Sequence, residues 1–155
     1  MSAGQPGPTA TGPVTVTNMH GLSDTVMDHF LHPRNAGPLP EASGEGWSGN
    51  VESGRYMRIQ VRLADGCVVE AGFGTYGCAP AIAAGSYLTE WVRGRPVEKA
   101  RTCTSERLLQ ALGGLPKQRR YCVDLAVKAL RTAIDQALQA FPLSLLGEDG
   151  EVAPD

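Results

Sequence analysis

The stretch "YMRIQVRLADGCVVEAGFGTYGCAPAIAAGSYLTEWVRG", residues 56–94, carries two periodicities and a change between them. Met57, Ile59, Val61 and Leu63 alternate with Arg58, Gln60 and Arg62, the period of a strand with one buried and one wet face. Asp65-Gly66 is a two-residue hairpin signal. The chain returns through "VVEAGFGTY", with Val69, Ala71 and Phe73 predicted on one face, so the two strands are antiparallel. From residue 80 to 93 the spacing is helical. Pro80 sits in the first turn, where a missing N–H costs nothing, and Gly94 is the C-cap.

Upstream, "LSDTVMDHFLHPRN" reads as a short helix capped by Ser23 or Asp24 and stopped by Pro33. Val26, Met27, Phe30 and Leu31 form its predicted apolar face, with Asp28 and His29 on the polar side. The Gly-rich segment "AGPLPEASGEGWSGNVESGR" is loop or weak edge strand. Downstream, "PVEKAR" makes a helical turn or two, and "TSERLLQALGG" is a capped helix closed by Gly113-Gly114. A last helix runs from about Tyr121 to Ala140, with Ala126, Ala129, Leu130, Ala133, Ile134, Ala137 and Leu138 as its stripe and Pro142 as its limit. The fold class is therefore α+β: a small antiparallel three-stranded sheet packed against several helices. Residues 20–141 make the domain, residues 1–19 a flexible Gly/Pro/Thr-rich arm, and residues 142–155 an acidic flexible tail.

Composition removes several function classes. With 42% hydrophobic and 19% charged residues the chain is an ordinary globular sequence. A net charge of -2 argues against a nucleic-acid binder, which needs a basic surface. No apolar run reaches the ~20 residues that cross a bilayer, so no membrane association is expected. No basic region with an apolar core opens the chain, so the expected location is cytoplasmic and the four cysteines are expected to stay reduced.

The cysteines divide by position. Cys78 stands where a strand ends and a helix begins, and a helix N-terminus lowers a thiol's pKa. The alternative is a small residue filling the strand–helix corner. Cys122 opens the last helix after "KQRRY", whose cations oppose the helix dipole but favour a thiolate or an anionic partner. The alternative there is a solvated basic turn beside a core cysteine. Cys67, in the hairpin turn, and Cys103, between helices, have no ligand neighbours and read as incidental. No C-x-x-C pair exists, so any metal site is assembled from residues distant in sequence. His20, His29 and His32 all fall in the N-terminal segment, and no phosphate loop or serine-nucleophile context is present.

Three segments together resemble the iron–sulfur cluster assembly scaffold family of the IscU/NifU N-terminal type. "VMDHFLHPRNAGPL" is similar to its "DH(Y/F)..PRN.G" helix, and "FGTYGCAPAIAAGSYLTEWVRGR" to its "F.T.GC.(S/A)AIA.SS..TEWV.G" segment. "YCVDLAVKALRTAI" is similar to its final helix, and the resemblance spans about residues 22–140. It implies a scaffold that accepts sulfur from a cysteine desulfurase, binds iron or an iron–sulfur cluster of the 2Fe-2S type, and has no turnover chemistry of its own. A chaperone and recipient apo-proteins are the further implied partners.

That family uses three cysteines, an aspartate and a histidine. Cys78 matches the second cysteine and Cys122 the third, which the resemblance makes the sulfur acceptor. Ser53 stands at the first cysteine, Arg55 at the aspartate and Tyr121 at the histidine. The chaperone motif "LPPVK" is reduced to "LPKQR", keeping Leu115, Pro116 and a terminal cation, Arg119. Clusters are held by soft thiolates, usually four; a serine hydroxyl is hard, and tyrosine ligates only as phenolate. Arg55 opposes a bare metal cation yet can balance an anionic cluster. One chain offers two good ligands, and a symmetric homodimer would offer four. Three further readings follow from the losses. The first is a non-assembling module that binds a desulfurase or client in a regulatory role. The second is a structural zinc protein. The third, an enzyme in its own right, has the least support, because no acid–base pair is placed by any motif.

Overall fold

The computed structural model describes residues 21–76 and 78–140. The arm expected over residues 1–19, His20, the acidic tail and Pro142 lie outside the described residues. In chain order the elements are α1 (Asp24–Leu31), β1 (Gly44–Asn50), β2 (Arg55–Ala64), β3 (Cys67–Thr75), α2 (Ala79–Val92), α3 (Val97–Ala100), α4 (Ser105–Ala111), a 3-10 turn (Lys117–Arg119) and α5 (Tyr121–Ala140).

The Gly-rich segment forms a full edge strand. β1 pairs antiparallel with β2 from Gly44↔Val61 to Asn50↔Arg55, and β2 pairs antiparallel with β3, giving the order β1-β2-β3. Its glycines have a packing reason that local propensity hides. A side chain at Gly46 would place its Cβ 2.1 Å from the Ala129 carbonyl oxygen, and one at Gly44 2.2 Å from that of Ala133. β1 therefore lies directly on the backbone of α5. Ser48 completes the contact by donating from Oγ to the Leu125 carbonyl at 2.6 Å.

On β2 the buried residues are Met57, Ile59, Val61 and Leu63, as the alternation predicts. The turn uses Asp65 at φ 54° and Gly66 at φ 77°, both left-handed as a type I′ hairpin requires. β3 departs from the predicted face. Leu63 pairs with Val68 while Arg62 pairs with Glu70, so Val69 is a bulged extra residue and Val68 takes the buried position instead. Ala71 and Phe73 remain buried.

α5 lies across β1 and β2, α2 against β3, and α1 on α2, so the helices cover one face of the sheet. Ser23 caps α1 by accepting from the Val26 amide at 3.0 Å. The α1 face differs from the predicted one: Leu31 is 57% exposed, and His29 is buried. The reason is a clamp between helices. His29 Nδ1 hydrogen-bonds Ser86 Oγ at 2.7 Å, and Ser86 Oγ also accepts from the Arg34 amide at 2.9 Å. Asp28 stays outside and pairs with Arg34 at 2.9 Å. Beyond α1, the chain lies along the open edge of β3, where the Phe73 amide donates to the Asn35 carbonyl and the Gly37 amide to the Phe73 carbonyl. That edge is thereby covered.

Candidate functional site

Three chain segments meet at one end of the sheet. The β1–β2 turn brings Ser53 and Arg55, the end of β3 leads into Cys78, and the 3-10 turn delivers Arg119, Tyr121 and Cys122. Cys78 is the N-cap of α2, with Pro80 in the first turn and its backbone extended at φ -82°, ψ 162°. Its carbonyl receives the Ala81 and Ile82 amides, both at 3.1 Å. Cys122, one residue into α5, is fully buried (0% exposed).

The two sulfurs are 3.9 Å apart. Their mutual hydrogen bond, with the Ala81 amide and Arg119 also nearby, brings the half-buried Cys78 down to about 5. Cys122 moves the other way, because its proton is held by the Cys78 sulfur and burial penalises its charge. Of the cations before α5, Arg119 favours the thiolate of both Cys78 and Cys122.

The residues at the divergent positions surround this pair. Ser53, Arg55, Tyr76, Cys78, Arg119 and Tyr121 line a cleft of about 200 Å³. Ser53 Oγ is engaged in its own turn, donating to the Asn50 carbonyl at 3.1 Å and accepting from the Arg55 amide at 3.3 Å. The Arg55 guanidinium stacks over the Tyr121 ring, with Cζ 5.2 Å from the centroid. Burial, and then the negative charge of the neighbouring thiol pair, raise the Tyr121 hydroxyl above its ordinary value, so it stays protonated. Among the described residues no group of three His, Cys, Asp or Glu side chains comes together to hold a metal ion.

A second, more apolar cleft of about 440 Å³ reaches Cys78 from its other side, lined by Leu22, Met27, Phe30, Pro80, Pro116 and Arg119. Of the three "LPKQR" residues singled out in the sequence, Leu115 belongs to the core, Pro116 lines this cleft, and Arg119 faces both clefts. Cys103 is buried, its thiol pushed up by burial, and lies apart from the pair; Cys67 is partly exposed at the start of β3. Sequence reasoning missed the rim. Tyr76, just past the end of β3, lines the cleft and is 70% exposed, and Val51, just past the end of β1, is 58% exposed. Their signal was an aromatic residue just before the Gly-Cys pair, outside the alternating pattern of β3.

Fold and site define a class: a two-layer α+β domain that brings two thiols to 3.9 Å at the open end of a three-stranded sheet. The particular family follows from residues 22–140, which match the NifU-like N-terminal domain; the chain belongs to that family. It is 45% identical over 112 residues to the iron–sulfur cluster assembly scaffold protein IscU 1 of Archaeoglobus fulgidus, covering 72% of this chain and 73% of that one. It is 40% identical over 118 residues to the scaffold protein IscU of Aquifex aeolicus, covering 75% of each. Among solved structures, one from Fervidobacterium islandicum, described as a proposed scaffold for the SUF system, has the same fold. It superposes with a TM-score of 0.59 at 18% identity, covering 79% of this chain and 99% of that one. Among the described residues no helix is long and apolar enough to cross a membrane.

Proposed function

We infer that this chain is an iron–sulfur cluster assembly scaffold: a cytoplasmic carrier without turnover chemistry, loaded by a cysteine desulfurase and unloaded to recipient apo-proteins with chaperone help at Pro116 and Arg119. The observation that carries this reading is the 3.9 Å pair of Cys78 and Cys122, soft ligands at an accessible end of the fold. Sulfur enters by exchange. The Cys78 thiolate attacks the outer sulfur of the donor's persulfide, the donor's S–S bond breaks, and its thiolate leaves. Cys122, adjacent but buried, then attacks the outer sulfur of the Cys78 persulfide as its own proton passes to the Cys78 thiolate that leaves, and it is the acceptor on which the sulfur rests before iron arrives. Two thiols per chain do not complete a cluster, so a 2Fe-2S core is held between two chains, with Cys78 and Cys122 from each.

The test is iron and acid-labile sulfide per chain after anaerobic incubation with desulfurase, cysteine, ferrous iron and an excess of thiol reductant, which takes persulfide sulfur to sulfide. The reading requires both in near-equal amounts, and loss of both in Cys78→Ala or Cys122→Ala. A second reading has its own support in Ser53, tied into its turn, and Tyr121, held protonated. On it the chain is a binding module that docks on the desulfurase and regulates it. Tight binding with no iron, sulfide or persulfide selects that reading.

A further inference from the structure

The cleft beside Cys78 carries a charge that its thiols do not explain. Two guanidiniums, Arg55 and Arg119, line it, and no carboxylate or imidazole is among its lining residues. Arg55 is held in place there, with its guanidinium over the Tyr121 ring at 5.2 Å from the centroid and its backbone amide fixed by Ser53 Oγ at 3.3 Å. Arg55 and Cys78 thus line one cleft, with Tyr121, the residue before Cys122, as the platform of the guanidinium. We propose that Arg55 is a specificity residue that makes the site accept anionic, sulfur-bearing metal species and exclude free divalent metal.

The physical basis is a difference of sign. A bare divalent cation entering the cleft meets two positive charges and finds one sulfur, Cys78, on the cleft wall, with Cys122 buried behind it. Repulsion between charges within a few ångströms is strong where water is partly excluded. A two-iron, two-sulfide core carried by four thiolates is a dianion, and a persulfide is an anion. For these the same guanidiniums attract, steer and neutralise. Arginine suits the role because it cannot release its proton and is weakly enough hydrated to stack on a ring. Order of loading follows: sulfur, or a preformed anionic cluster, comes before unaccompanied metal.

The inference rests on the scaffold reading for its anionic half, and three chains separate the two. Wild type, Arg55→Gln and Arg55→Asp are each exposed to zinc ion alone, desalted and assayed for metal. Each is then mixed anaerobically with a glutathione-ligated 2Fe-2S complex, and uptake is followed by visible circular dichroism. Wild type is expected to retain almost no zinc, and Arg55→Asp close to one ion per chain, lost again in the Arg55→Asp, Cys122→Ala double variant. Cluster uptake is expected to slow about ten-fold in Arg55→Gln at low salt, the difference fading at high salt. Arg55 is exposed, so the variants fold, which a thermal melt checks. Stoichiometric zinc on wild type, or identical cluster uptake by wild type and Arg55→Gln, overturns this inference alone. No cluster uptake by any of the three chains overturns the scaffold reading and the inference with it.

Discussion

Cys78 and Cys122 are the same residue type 3.9 Å apart, and their surroundings give them opposite protonation. Cys78 caps a helix, receives a thiol proton and lies near Arg119; Cys122 has no exposure and supplies that proton. Because the Cys78 pKa is lowered, its thiolate is populated above about pH 5. Alkylation of Cys78 by iodoacetamide, followed by peptide mass mapping, should therefore rise through that pH and be level near neutrality. Cys122→Ala removes the largest cause and should move the midpoint upward toward the free-thiol range; an unmoved midpoint would rule out the shared proton. Arg119→Gln should move it the same way by less, since Arg119 acts only through space. The substituted positions tell the same story of local chemistry. Ser53 spends its hydroxyl on the turn that carries it, which a thiol in that place would do poorly.

Elements reach the site through two contacts that a local reading undervalues. β1 touches the α5 backbone through Gly44 and Gly46, so Gly46→Ala must drive strand and helix apart. We expect a loss of about 3 kcal/mol in urea unfolding, at the upper end of overpacking costs, although alanine is the better intrinsic choice in a strand or helix. No loss would mean that β1 does not sit on α5 as described. The clamp from α1 to α2 is the other contact. His29 is buried against Ser86, and burial lowers its pKa below the ordinary 6.5. The sign is then set: the folded state favours neutral imidazole, so this contribution is present above pH 6.5 and is lost as pH falls through the lowered value. Urea midpoints should drop on acidification through that window, and His29→Gln should flatten this part of the profile while lowering stability at neutral pH.

Across the whole molecule, the open end of the sheet holds two thiols, two guanidiniums and the exposed ring of Tyr76. On the proposed function, a cluster bridges two such ends. Cluster loading should then double the mass seen by size exclusion with in-line scattering, at about one iron and one sulfide per chain. Cys78→Ala should stay at the mass of one chain under the same treatment. A loaded single chain would show that other ligands complete the cluster.

Much of this was written in local order. The alternation over residues 57–63, the Asp65-Gly66 turn and the caps at Ser23 and Gly94 are short-range patterns, so they specified strands, hairpin and helices directly. The motifs around Cys78 and Cys122 likewise marked the family and the thiols. Tertiary structure alone decided four things. It made a strand of "GEGWSGN", whose glycines matter only against α5, and it shifted β3 by the bulge at Val69. It turned His29 inward to Ser86, and it brought Cys78 and Cys122, 44 residues apart in the chain, to 3.9 Å. Apart from the bulge, whose partners Arg62 and Leu63 lie just across the hairpin, each depends on a partner dozens of residues away, and neither burial nor a contact between thiols is a property of a residue or its chain neighbours.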